Sequence, residues 1–277
     1  MRYLRKQIVM IWPALAKAEW ERLPDLFKDI TLWIHIVISF VINWILAPLL
    51  MTALAWATLP DDTMERYRKG VILVGIARCI AMVMVWNTIA RGDSLYCPVL
   101  VVFNSLLQVV LFSPYSLLFV NIFGGDQDGP QIQLDYEHTA RSVGIYLGIP
   151  LAAGLITRFA LLKFTTNNKF RSMFYNVTGN IGLLGLLYTI TVLFANQGKA
   201  IVDNIGKVFR TIVPLICYFI IVWFITFAGF QRINCTDRFS RIAGGYERAV
   251  TQAFTAASNN VSFNRKDGTI LLKQFLV

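Results

Sequence analysis

Gly70–Ala90 reads GVILVGIARCIAMVMVWNTIA, 21 residues in which Arg78 is the only charge. A bilayer-spanning helix needs about 20 apolar residues. A cation at its midpoint costs roughly 2.5–3.5 kcal/mol on insertion scales, so such a group faces a protein interior or a watery cavity rather than lipid. Beside it lies the thiol of Cys79, among the softest ligands a protein offers. The run therefore points to a chain that carries a solute across a membrane, with Cys79 placed to touch it.

The rest of the chain fits that reading. It is 56% hydrophobic and 15% charged, with mean hydropathy +0.56, whereas soluble domains run near 25% charged. Ile30–Thr58, Ser94–Phe123, Ser142–Thr157, Ser172–Gly198 and Thr211–Gln231 hold no Asp, Glu, Lys or Arg. With Gly70–Ala90 they give six expected spans. A seventh uncharged run, Ala249–Asn264, falls short of a bilayer. The fold class is thus all-α, a polytopic transmembrane bundle read as one domain. Pro98 and Pro114 predict a kink in Ser94–Phe123. Gly179, Gly182 and Gly185 predict a close helix–helix approach.

A net charge of +10 does not make this a nucleic-acid binder, because the basic residues lie between apolar runs. With Lys17–Asp29 cytoplasmic, the cytoplasmic loops hold twelve Lys and Arg and the outer loops seven, and the acidic loop Gly124–Glu137 falls outside. Cys79, Cys97, Cys217 and Cys235 show no metal-finger spacing. No catalytic triad, metal cluster or phosphate loop is present, so neither enzyme chemistry nor a cofactor is expected. The N-terminal Arg2, Arg5 and Lys6 before an apolar stretch mimic a signal peptide, but Pro13 interrupts that stretch. The remnant of a spanning helix is the preferred reading.

Polar residues within the apolar runs are the candidate site: Asn43 and Trp56, then Arg78, Cys79 and Asn87, then Asn104 and Gln108, and finally Asn259 and Asn260. Each Asn or Gln also reads as an interhelical hydrogen bond. Cys79 reads either as inert packing or as a ligand whose thiolate a neighbouring cation favours. His35 reads as a packed helix residue, with a proton relay as the alternative.

Longer stretches carry a resemblance. Gly75-Ile-Ala-Arg-Cys-Ile-Ala-Met82, Trp86-Asn87, Ala90-x-Gly92-Asp93-x-x-Tyr96-Cys97, Asn43-Trp44-x-x-x-Pro48, Asn104-Ser-Leu-Leu-Gln108 and Ala253-Phe-Thr-Ala-Ala-Ser-Asn-Asn260 resemble the arsenical-resistance-3 family of arsenite efflux permeases. Pro98-Val-Leu-Val-Val102 resembles fungal members. The resemblance implies a ten-helix, inverted-repeat fold of the bile acid/arsenite/riboflavin transporter superfamily, in which the fourth and ninth helices are broken and cross. It implies that Cys79 is the As(III) thiolate ligand, with Arg78, Asn43 and Trp56 beside it. The solutes are then arsenite and antimonite, exchanged for protons across the plasma membrane.

The chain departs from the family pattern after Asn260. Val261-Ser262-Phe263-Asn264 stands where the family carries an acidic residue, and the family's first helix and most of its second have no counterpart here. The expectation is a partial transporter domain over residues 1–260 with seven to eight helices, and a divergent tail over 261–277. A non-transporting truncated product and a sodium-coupled organic-anion carrier of the same superfamily are the alternatives.

Overall fold

The computed structural model describes residues 12–13, 15–18, 20–79, 81–122, 136–165, 167–235, 243–259, 265–266 and 269–270. A short helix, α1 (Leu23–Lys28), leads into a long rod. The rod runs through α2 (Ile30–Phe40), a π-turn (Val41–Leu46) and α3 (Ala47–Thr58). Asp29 opens it, its carboxylate accepting from the Thr31 N–H at 2.9 Å. Hydrogen bonds from Thr31 hold that carboxyl below the usual aspartate range. Pro48 would crowd the carbonyl four residues back in a regular α-turn. The wider π-turn immediately before α3 accommodates it.

Gly70–Ala90 is not one helix. It is two, α4 (Glu65–Ile76) and α5 (Ala81–Ile89). Ala77 is extended, with φ −79° and ψ 113°. The ladder stops because the next two peptide N–H groups bond elsewhere: Arg78 to Gln108 Oε1 at 3.1 Å, and Cys79 to the Ser258 carbonyl at 3.4 Å.

Asp93 opens α6 (Tyr96–Ser116), its Oδ1 accepting from the N–H groups of Leu95 and Tyr96. The expected kink is present. Tyr96–Gln108 and Val110–Phe119 meet at 46°, where Pro114 crowds the carbonyl one turn earlier. Then come α7 (Tyr136–Phe164), α8 (Asn168–Asp203), α9 (Ile205–Asn234) and α10 (Gly245–Ala257). Helices α7 and α8 cover the expected runs Ser142–Thr157 and Ser172–Gly198. Beyond α10 a two-residue antiparallel ladder pairs β1 (Arg265–Lys266) with β2 (Thr269–Ile270), a small departure from an all-helical chain.

By length and composition, two described helices are long and apolar enough to cross a membrane: Ile30–Thr58 and Ile205–Asn234. The bent α6 pair makes a third if it counts as one span. Helix α9 shows how the bundle is turned inside out. Its buried face is Thr211, Pro214, Tyr218, Val222, Thr226 and Phe230, at near four-residue spacing. Its exposed face is Val213, Ile216, Ile220 and Phe224. Polar groups point inward and apolar ones outward, the reverse of a soluble amphipathic helix.

The largest core joins α3, α4, α6, α9 and α10. Gly75 lets α4 lie against α3, since a Cβ there would sit 2.5 Å from Met51 Cβ. Gly179, expected at a close approach, has nothing within 4 Å of such an atom among the described residues.

Helical residues 12–13 and 15–17 dock on α7. The Trp12 indole donates to Thr157 Oγ1 at 2.9 Å. Arg158 donates to both carboxylate oxygens of Glu21 and to the Lys17 carbonyl. Burial is the largest single influence and raises the Glu21 pKa, but the Arg158 hydrogen bond and charge, a backbone hydrogen bond and the Arg171 charge together outweigh it, and the net shift is downward.

Candidate functional site

The break between α4 and α5 meets the end of α10. Arg78, between α4 and α5, and Asn259, beyond the C-terminus of α10, face each other in an isolated antiparallel bridge. Each helix end leaves carbonyls without intrahelical partners. The Arg78 guanidinium serves both ends. It donates to the Gly75 carbonyl of α4 and to the Ala256 carbonyl of α10 at 3.2 Å.

The same Nη1 reaches Asn43 Oδ1 at 2.9 Å and the Tyr218 hydroxyl at 3.4 Å. Tyr218 in turn donates to the Ala256 carbonyl at 3.2 Å. Asn43, wholly buried on the π-turn, donates to the Ser39 carbonyl and hydroxyl. Asn104 donates to the same hydroxyl at 3.0 Å and accepts from the Trp44 indole at 3.1 Å. One hydrogen-bonded chain therefore links Asn104, Ser39, Asn43 and Arg78, and Gln108 holds the Arg78 peptide.

Cys79 lies at the edge of this network. Its backbone belongs to the crossing. Its side chain, 8% exposed, belongs to an apolar cluster with Leu15, Ala18, Trp20, Val83 and Met84. The thiol thus lies where the N-terminal segment meets the crossing helix. Three buried polar groups at or near the crossing have no partner among the described residues: Arg78 Nε, both carboxamide atoms of Asn259, and Gln252 Oε1. Such groups are costly when left unsatisfied, and they fit a place where a polar solute is handled.

Of the expected site residues, Asn43, Arg78, Cys79, Asn104, Gln108 and Asn259 come together. Trp56 does not. It stands 13 residues beyond Asn43 on the same rod, roughly 20 Å along a helix. There its ring stacks under the Arg68 guanidinium, 3.8 Å from the centroid. Arg68 also donates to the Leu59 carbonyl at 3.0 Å, closing the end of α3. Asn87 lies at the far end of α5. It donates to the Asp93 carbonyl and accepts from the Thr251 hydroxyl at 2.8 Å, joining α5, α6 and α10. Asn260 lies outside the described residues.

Sequence reading missed Ser39, Trp44 and Tyr218. Tyr218 carried the clearest signal, a hydroxyl in the middle of an uncharged run. His35 is a packed residue. Gln252 Nε2 donates to the His35 carbonyl at 2.9 Å and lies 3.1 Å from Nδ1. An amide nitrogen that must face a carbonyl leaves Nδ1 as the acceptor, and the ring stacks on Phe230.

Comparison with known sequences gives the same frame. The chain is 35% identical over 257 residues to the "Arsenical-resistance protein Acr3" of Corynebacterium glutamicum, covering 91% of this chain and 65% of that protein. It is 27% identical over 268 residues to an uncharacterized transporter of Synechocystis sp., with the same two coverages. It is 25% identical over 227 residues to the "Arsenical-resistance protein Acr3" of Alkaliphilus metalliredigens, covering 79% of this chain and 61% of that protein. The chain therefore spans just under two thirds of the length of these curated relatives. The profile described as "Sodium Bile acid symporter family" matches residues 7–204. With that match over most of its length, and with apolar rods that bury their polar groups around a broken helix, the chain is an integral multi-pass membrane protein and belongs to the Sodium Bile acid symporter family.

Proposed function

We propose that the protein is a permease that exports trivalent metalloid, arsenite and also antimonite, across the plasma membrane in exchange for protons. In this reading residues 1–260 are a partial transporter domain and 261–277 a divergent tail. One observation carries this reading: a thiol, Cys79, adjoins the point where a broken helix meets the end of α10, lined by neutral oxygens and amides. As(OH)₃ is uncharged near pH 7, and its As(III) centre prefers thiolate sulfur. A single thiol binds it weakly enough to release it. Asn43, Asn104, Gln108 and Asn259 supply hydrogen-bonding partners of the kind its hydroxyls need, and discontinuous helices commonly frame transport sites. Similarity to two proteins named for arsenical resistance supports the same choice.

The test is arsenite accumulation in everted vesicles carrying the 277-residue chain. Accumulation driven by an acid interior and collapsed by a protonophore is the expected result. No movement of arsenite or antimonite under any gradient would overturn it. The family description favours a second reading, a sodium-coupled organic-anion carrier. Sodium-driven uptake of an organic anion by the same vesicles would establish that reading instead.

A further inference from the structure

The partners of the Arg78 guanidinium are all neutral oxygens. They are the Gly75 carbonyl, Asn43 Oδ1 at 2.9 Å, the Ala256 carbonyl at 3.2 Å and the Tyr218 hydroxyl at 3.4 Å. They come from four separate elements: α4, the π-turn of the rod, α10 and α9. Two of the four are carbonyls in the last turn of a helix, where the dipole presents its negative end. Three oxygens crowd one nitrogen that carries only two hydrogens, which is more than hydrogen-bond geometry asks for. Unwound carbonyls and half-helix C-termini gathered in this way are the usual receptors for coupling cations in membrane carriers.

We propose that this oxygen cage is a monovalent-cation site and that the tethered guanidinium of Arg78 occupies it permanently. The side chain does the work of an ion that never dissociates. It neutralises two converging helix ends and holds the rod, α4, α9 and α10 at one point. A free sodium ion then has no role at this place. The inference concerns the cage alone and stands whatever solute is carried.

The test is thermal unfolding of the purified full chain in nanodiscs, at equal ionic strength in sodium, potassium or choline chloride. The unmodified protein should melt at one temperature in all three. Two variants open the cage. Arg78→Ala empties it, and Arg78→Gln keeps an amide donor but removes the charge. Both should melt lower in choline. Both should recover about 3 °C or more on adding about 10 mM guanidinium chloride, well below denaturing concentrations. A charge-free hydrogen-bonding role for Arg78 predicts instead that Arg78→Gln is stable and indifferent to added cations, and that result overturns the proposal. So does a sodium-specific rise in the melting temperature of the unmodified protein. If neither variant accumulates, synthesis into nanodiscs with and without guanidinium decides: recovery with guanidinium supports the tethered-cation reading, and failure of both variants to recover overturns it.

Discussion

Asn43 Oδ1 accepts from Arg78 Nη1 at 2.9 Å, joining the π-turn of the first rod to the break in the crossing helix. Both side chains are buried, Asn43 completely. Asn43→Ala removes that acceptor and also the donor to Ser39. Leaving a buried charged donor short of a partner costs about 1–3 kcal/mol. Reduced thermal stability in nanodiscs is the expected result. An unchanged melting temperature would mean that the Asn43 contact contributes nothing.

Cys79→Ser should abolish metalloid movement while leaving insertion and folding intact, because serine keeps the shape but is a hard oxygen ligand. Cys97, Cys217 and Cys235 should tolerate serine. Cys97 is buried on α6 in the same apolar cluster as Cys79, without a place in the polar network, and Cys235 is exposed beyond α9. Arsenite transport by the four single variants decides the matter; export at the parental rate by Cys79→Ser removes its ligand role.

Asp29→Ala should destabilise the rod by about 1 kcal/mol through loss of the N-cap. The Asp29 pKa is lowered in the folded state. Its contribution is therefore complete above the ordinary aspartate value, about 3.9, and is lost as pH falls through the folded value. Melting temperatures of the parent and variant should converge below about pH 4. A gap that persists undiminished there would show that the side chain acts by something other than its charge.

Arg91 sits at φ 55° after α5, in the left-handed region. That conformation costs an L-residue roughly 1–2 kcal/mol and glycine almost nothing. Arg91→Gly should stabilise the protein by up to about 1 kcal/mol, glycine's extra freedom when unfolded offsetting part of the gain. Chemical denaturation is the readout, and a loss of stability would reveal an unrecognised contact made by the arginine.

The fold was legible where the signal was hydrophobic length. Ile30–Thr58 and Thr211–Gln231 showed as uncharged runs and are rods. The break at Ala77–Cys79 was not visible in composition, because every residue flanking Arg78 is as apolar as a continuous helix requires. What stops the ladder is an amide from α6 and a carbonyl beyond α10, and tertiary partners leave no periodicity in the sequence. The resemblance supplied that break, and the structure bears it out. It also grouped Trp56 with Asn43, where helix length separates them. Arg78 stood out because charge in an apolar run is conspicuous. Ser39 did not, since a hydroxyl one turn from Asn43 is ordinary in helices.

The π-turn at Val41–Leu46 acts as a phase corrector. Thr31, His35, Ser39, Asn43, Ala47, Met51, Ala55 and Leu59 are all buried, a strict repeat of four residues. In a regular helix each such step overshoots a full turn by about 40°. The stripe would therefore wind off the protein interior and into lipid within a few turns. One surplus residue retards the rotation by about 100°, or two and a half steps. Deleting any single residue from 41–46 would thus barely shorten the rod. It would instead rotate Met51 away from Gly75 while His35 and Ser39 kept their places, so that the two ends of one helix answered to different neighbours.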